Sequence, residues 1–354
     1  MTNRFLIVRL AAVGDVVMAS SLARRIRDEH PDASITWLCS TSVAPLVAQF
    51  EDVDEVLTVD ERRLLNGGVI DRLAVLLPLW RSLLGRRFDR VFLLHVDRRY
   101  RVVIAPLVGV ETVAQSPRDA HGAMNPVPGR YFGDEYARLL DGLAHVGPIT
   151  GHYPLGRLKP LSLLPTIDSA QRTRSPAGRV ALVSGGGRNA MRESAVRRWP
   201  AVHYAVLAQT LIADGCEVVL IGDANDEWVR ADFVGIPVVD RIGATTLPET
   251  LALLASCDLV VSHDTGPMHL AKLVGTPLVA LFGPTMPGQF MVENDSTKVL
   301  WGGADLACRP CYDGREFAAC ASNVCMSGIA PELVLATARA LLQSRLSAAT
   351  RSPQ

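Results

Sequence analysis

Lysine is scarce in this chain. Only three of its 36 basic residues are lysines, Lys159, Lys272 and Lys298. The rest are arginines, which suit bidentate contacts with phosphates and carboxylates. Charge of one sign is also missing: the formal net charge is +0, so the whole-molecule field does not point to nucleic acid. Long apolar runs are absent. The nearest, LAVLLPLW at 73–80, falls far short of the roughly 20 residues that span a bilayer. The opening stretch, MTNRFLIVRLAAVGDVV, lacks a signal-peptide layout, because Arg9 interrupts the apolar run and no small-residue cleavage site follows. A cytosolic protein is expected, and its seven cysteines are then thiols or metal ligands rather than disulfides. Two phosphate signatures are missing as well. No G-x-G-x-x-G and no G-x-x-x-x-G-K-[ST] occurs, which argues against a classical dinucleotide site and a P-loop.

What is present reads as an α/β protein in two similar halves. Its 354 residues, 49% hydrophobic and 20% charged, favour two domains over one. RFLIVRL (4–10), a loop, a helical pattern from Val16 to Glu29 and SITWLCS (34–40) form a βαβ unit. DEVLTVD (54–60), RVFLLHV (90–96) and ETVAQS (111–116) continue the strands. The pattern restarts with RVALVS (179–184) and a helix over 201–215. The strands CEVVLIG (216–222), IPVVDR (236–241), DLVVSH (258–263) and PLVALFG (277–283) follow. The Pro- and Ser-rich stretch between the halves reads as a linker. The expected division is a first domain at 1–160, a linker at 161–178, a second domain at 179–345 and a tail at 346–354. In doubly wound sheets, ligands bind beyond the carboxyl ends of the strands.

Five stretches carry candidate chemistry. Gly14 and Asp15 follow the first strand; Asp15 is either a helix cap or a general base. SGGGRNAMRESAVRRWP (184–200) places Gly185, Gly186 and Gly187 after a strand, with Arg188, Arg192, Arg197 and Arg198 close behind. Glycines free backbone N–H groups to approach a phosphate. Asp226 or Glu227, after the second strand of the second half, stands where α/β nucleotide folds often hold ribose hydroxyls, or is simply a carboxylate at a helix start. In SHDTGPMHLAKLVGTPLVALFGPT (262–285), Asp264 and Thr265 are cap candidates before a helix opened by Gly266 and Pro267. A cap accounts for one of the two, but not for both together with His269. Finally, Cys308, Cys311, Cys320 and Cys325 are spaced C-x2-C-x8-C-x4-C, either a tetrahedral zinc site or reduced thiols in a loop.

Taken together, the GD after the first strand, RRWP at 197–200 and SHDTGPMHLAKLVGTPLVALFGPTMP at 262–287 resemble glycosyltransferase family nine, the ADP-heptose:lipopolysaccharide heptosyltransferases. The resemblance covers roughly residues 4–345. It implies a GT-B fold, two Rossmann-like domains facing across a cleft, with the acceptor on the first and the nucleotide sugar on the second. It also implies inversion at the anomeric carbon without a catalytic metal or other cofactor. By resemblance Asp15 is the catalytic base, and Gly14, in the turn before it, is counted with the donor-binding residues. Arg197 falls where the family often has a phosphate-binding lysine. Glu227 matches the ribose-binding acid, and Asp264 the acid that contacts the donor sugar. Thr265 and Gly266 match the turn that meets the diphosphate, with His269 nearby. Four cysteines near 308–325 recur in some members. Two departures stand out: Ala11 and Ala12 replace serines found in some members, and Arg197 replaces lysine.

The function expected is transfer of a heptose or related sugar from an ADP-sugar to a lipopolysaccharide core hydroxyl. The protein would be a monomer at the cytoplasmic face of the inner membrane, touching it peripherally. Arg98, Arg99 and Arg101 in HVDRRYR (95–101) suit an acidic or phosphorylated acceptor, or are a solvated basic turn. Two other classes compete. A nucleotide-sugar epimerase would turn over donor without acceptor, and a non-catalytic binding protein would bind ADP-sugar without turnover.

Overall fold

A computed structural model describes residues 2–114, 129–142, 151–165, 175–187, 193–313 and 316–351. The chain divides into two compact units, Met1–Pro160 and Leu161–Gln354.

In the N-terminal unit, β1 (Arg4–Val8), α1 (Val13–Glu29), β2 (Ser34–Ser40), α2 (Ala44–Val47), β3 (Glu55–Val59), α3 (Glu61–Asn66), α4 (Val69–Leu83), β4 (Arg90–Leu93), β5 (Glu111–Ala114) and α5 (Phe132–Ala137) follow one another. All five strands are parallel, in the order β3-β2-β1-β4-β5. Parallel strands covered on both faces carry near-continuous apolar runs, and Phe5–Val8 are accordingly all buried. The chain runs outward from β1 to β3 and then returns to the other side of β1. The order therefore reverses between β1 and β4, at whose carboxyl ends ligands bind in such sheets.

The C-terminal unit repeats the plan with β6 (Arg179–Val183), α6 (Ala201–Ala213), β7 (Glu217–Leu220), β8 (Val239–Asp240), α7 (Leu247–Ala255), β9 (Leu259–His263), α8 (Gly266–Val274), β10 (Leu278–Phe282), α9 (Pro287–Phe290), β11 (Thr297–Trp301), α10 (Val324–Ser327) and α11 (Pro331–Arg351). Its sheet order, β11-β10-β9-β6-β7-β8, reverses between β6 and β9. The glycine-rich loop leaves the end of β6 and the SHDTGP turn leaves the end of β9, so both sit at that reversal.

The expected strands lie where the apolar runs placed them, trimmed by up to four residues; β2 keeps its full span. β5 ends at Ala114, and residues 115 and 116 lie outside the described residues. β11 is an addition: its five residues, TKVLW, are too short and mixed to signal a strand until β10 supplies its partner. The segment after β7 is not an α-helix but a 3₁₀ helix, Ala224–Phe233.

Candidate active site

Asp15 occupies the third position of α1. One carboxylate oxygen, Oδ2, accepts from the Ala12 N–H at 3.2 Å. It therefore caps α1 from inside the first turn, as the acidic member of a capping box does. The same oxygen lies 2.6 Å from Nη2 of Arg9, and Oδ1 accepts from the Tyr136 hydroxyl at 3.4 Å. Capping thus accounts for one oxygen and leaves the second facing only a weak partner. Arg9, the residue after β1, is half-buried; its Nη1 donates to the Leu94 carbonyl beyond β4. Burial works against the charge on its guanidinium, but Asp15 and Tyr136 more than compensate, and its pKa is raised above the ordinary arginine value. Arg9 is a candidate site residue that the sequence reading missed, having used it only as the charge that interrupts an apolar run. Its place directly after a buried strand and six residues before the acid was the available signal.

Beside this pair lies a buried polar chain. The Leu10 N–H donates to His95 Nε2 at 2.9 Å, and His95 stacks on Tyr100 at 3.7 Å. The Tyr100 hydroxyl donates to buried Glu61 at 2.7 Å. Burial and the nearby Arg9 hold His95 well below its usual pKa, so it is neutral and can accept from Leu10. Arg98, Arg99 and Arg101 lie on the exposed side of a 3₁₀ helix, Arg98–Ile104. Arg99 is paired with Asp97 at 2.7 Å.

In the C-terminal unit, neither Asp264 nor Thr265 caps α8 with its side chain. Thr265 is the residue before the helix, Gly266 opens it and Pro267 is its second residue. The Asp264 carboxylate is buried, accepts from the Thr285 hydroxyl at 2.9 Å and lies 3.6 Å from the Arg197 guanidinium. This joins three of the expected motifs: RRWP, SHDTGP and FGPT. The Thr265 hydroxyl accepts from the Gly187 N–H at 3.3 Å. His263 is fully buried and its Nδ1 meets the Tyr204 hydroxyl at 3.1 Å. Burial, aided by Arg197 and Arg198, pushes its pKa down to about 3. His269 is buried in the first half of α8.

The glycine loop differs from its expected use. Gly186 and Gly187 adopt left-handed φ values of +89° and +74°, which favour glycine. Their N–H groups are spent inside the protein, however. Gly186 donates to Asp226 Oδ1 at 2.7 Å and Gly187 to Thr265. A Cβ on Gly185 would stand 2.3 Å from the Asp226 carboxyl carbon. Asp226 also accepts from the Asp223 N–H at 3.0 Å, and burial raises its pKa. The two neighbouring carboxylates thus separate. Asp226 is an internal brace, whereas Glu227 is exposed and pairs with Arg230 at 3.1 Å. Arg198 is fixed by donation to the Gly186 carbonyl at 2.7 Å and lies 5.0 Å over the Trp228 ring. Among the described residues, the remaining cationic donor beside the turn is Arg197, together with the first-turn N–H groups that any helix start offers an anion. Arg188 and Arg192 lie outside the described residues.

The zinc expectation finds no support. Among the described residues no group of three or more His, Cys, Asp or Glu could hold a metal ion. Cys308 and Cys320 are exposed, and Cys325 is buried in α10. There its Sγ would stand 2.8 Å from a Cβ on Gly283. Cys320 and Cys325 both bond to Asn323: Cys320 Sγ accepts from its N–H at 3.3 Å, and Cys325 Sγ donates to its Oδ1 at 3.7 Å. Cys311 is tied through its N–H to the Pro284 carbonyl.

The model of glycosyltransferase family 9 (heptosyltransferase) matches residues 170–321. Lipopolysaccharide heptosyltransferase 2 of Escherichia coli is 26% identical over 300 residues, 80% of this chain and 84% of that protein. Lipooligosaccharide heptosyltransferase 2 of Haemophilus influenzae is 26% identical over 313 residues, 83% of this chain and 87% of that one. The solved structure of E. coli ADP-heptose lipopolysaccharide heptosyltransferase II shares the fold, with a TM-score of 0.69 at 23% identity over 96% of this chain and 99% of that one. Two parallel α/β units, the motifs gathered at their sheet reversals and likenesses that run through both units lead to one conclusion: residues 170–321 match glycosyltransferase family 9, and the chain as a whole is similar to heptosyltransferases.

Proposed function

We propose that this glycosyltransferase moves a heptose from an ADP-activated donor to a hydroxyl of the lipopolysaccharide inner core, inverting the anomeric centre. The observation that carries the reading is the joining of Asp264, Arg197 and Thr285 beside the start of α8. It sets a carboxylate for sugar hydroxyls next to a guanidinium and a helix N-terminus suited to a diphosphate. Asp15 takes the proton of the acceptor hydroxyl as its oxygen bonds to the anomeric carbon. The bond from that carbon to the diphosphate oxygen breaks, and ADP leaves with the electron pair. Arg197 and the first turn of α8 stabilise the charge that develops on the diphosphate. Glu227, exposed on its 3₁₀ helix, is placed on the donor ribose. Gly185, Gly186 and Gly187 shape the donor loop, with Asp226 and Thr265 as their anchors, and Gly14 gives the turn before Asp15. His269 lies under the donor turn. Arg98 and Arg101 meet the acidic acceptor.

The chemistry needs no cofactor, since acceptor and donor supply the bond that forms and the bond that breaks. Among the described residues no helix is long and apolar enough to cross a membrane. The proposed place of action is the cytoplasmic face of the inner membrane, as a monomer. The test is mass spectrometry of products formed from ADP-heptose and a defined core acceptor. A product one heptose heavier, formed only when both substrates are present, is expected. Donor turnover without acceptor would assign the protein to sugar epimerisation or hydrolysis, and binding without turnover would make it a non-catalytic binder.

A further inference from the structure

Helix α4 turns an apolar face outward. Val69 is 73% exposed, Ile70 83%, Leu73 45% and Leu77 56%. Leu76, Leu79 and Leu83 face the core. At 3.6 residues per turn, Ile70, Leu73, Ala74, Leu77 and Arg81 fall on one side of the helix. Leu84, just beyond the helix, extends the exposed apolar surface. Contiguous apolar surface of this kind marks a contact with another body.

Charge shows which body. Residues 61–101 hold ten arginines against four acidic residues, an excess of six positive charges in a chain whose net charge is zero. Arg62, Arg81 and Arg87 are exposed, and among the described residues none of them has an ion pair. Helix α4 also adjoins the 3₁₀ helix Arg98–Ile104, since Trp80 Nε1 donates to the Val102 carbonyl at 2.8 Å. Arg98 and Arg101 on that neighbouring helix are exposed and likewise without an ion pair among the described residues. Fifteen residues rise about 22 Å, short of the roughly 30 Å hydrocarbon layer. A helix of this length, apolar outward and flanked by free arginines, lies in a lipid–water interface rather than across a bilayer.

We propose that the outward face of α4 docks the protein on an anionic lipid surface. Ile70, Leu73 and Leu77 enter the headgroup boundary, and Arg62, Arg81 and Arg87 pair with lipid phosphates. The proposal rests on the membrane-face reading above, but Ile70, Leu73, Leu77, Arg62, Arg81 and Arg87 are not among the residues assigned to transfer, so its test and that of the enzymatic reading can fail independently.

The experiment is co-sedimentation of the full chain with phosphatidylcholine vesicles, with and without phosphatidylglycerol, in about 0.1 M salt. Transfer to a soluble acceptor fragment is measured in parallel. The expected result is binding to the anionic vesicles that falls at least about tenfold on pure phosphatidylcholine. A loss of about tenfold or more is expected for Ile70→Ser/Leu77→Ser and, separately, for Arg62→Gln/Arg81→Gln/Arg87→Gln. Soluble transfer and melting temperature should be unchanged in both variants. Three results would overturn the proposal: no binding to anionic vesicles, binding unaffected by either set, or loss with the arginines alone. It also falls if light scattering shows a wild-type dimer that Ile70→Ser/Leu77→Ser dissolves while vesicle binding persists, because a second copy would then cover the face.

Discussion

Arg9 holds Asp15 by a contact of 2.6 Å between Nη2 and Oδ2, and it does so from the end of β1, anchored at the same time to the Leu94 carbonyl. The proposed base is therefore fixed from two directions, by its own helix through Ala12 and by the sheet through Arg9. A carboxylate held this way cannot swing into solvent without leaving a half-buried guanidinium without its carboxylate partner, which is costly.

Replacing the base comes first. Asp15→Asn retains the shape of the side chain but cannot accept the proton. Transfer should fall by about 10²–10⁴-fold, while ADP binding measured by calorimetry stays within about threefold. A variant with near-normal turnover would remove Asp15 from its role.

Arg9→Met should act through position rather than donor binding. We expect kcat to fall about 10–100-fold with the KM for ADP-sugar nearly unchanged. Arg9→Lys, which keeps the charge but not the two-pronged grip, should recover part of the loss. Equal changes in kcat and in donor affinity would show a general structural defect instead.

The neighbours Asp226 and Glu227 should part in behaviour. Asp226→Ala leaves the Gly186 and Asp223 N–H groups without their acceptor. Thermal unfolding should report a loss of about 1–3 kcal/mol together with weaker donor binding. Glu227→Gln touches only exposed surface and an ion pair, so stability should stay within about 0.5 kcal/mol. If Glu227 holds the ribose, its donor Kd rises about tenfold; an unchanged Kd would free it from that role.

His263 makes a pH prediction. Its folded pKa is depressed to about 3 from an unfolded value near 6.5. Below pH 6.5 the unfolded chain therefore binds a proton that the folded chain refuses. Stability contributed by neutral His263 is present above the unfolded pKa and lost as pH falls from about 6.5 toward 3. His95 adds to the same trend, so the comparison must be with a variant. His263→Asn should melt lower at pH 7 yet lose melting temperature less steeply between pH 7 and 4.5. Parallel slopes would show that His263 does not resist protonation.

The buried strands were legible because burial on both faces demands apolar runs, as in RFLIV and LVVSH. Motif positions were legible too, since loops at a sheet reversal follow directly from strand order. Less visible was what the loop atoms bond to. The glycines of SGGG signal backbone freedom, but that Asp226 and Thr265 consume two of their N–H groups depends on contacts 40 and 78 residues away. Asp264 and Thr265 looked like caps because their residue types are common there, yet their side chains bond across the unit. The cysteine spacing allowed a metal site or reduced thiols; among the described residues no group that could hold a metal ion forms, a matter of side-chain placement that spacing alone does not carry.

The two N–H straps of the glycine loop have a thermodynamic consequence. Gly186 hangs from Asp226 and Gly187 from Thr265, so three segments far apart in sequence share one restraint. Removing either anchor releases a loop that the other can no longer hold alone, and losses at Asp226 and Thr265 should be coupled rather than additive. For a ligand, the same linkage means that the ordering entropy of the loop is already spent during folding, so the turn meets its partner rigid and little of the binding free energy is diverted to shaping it.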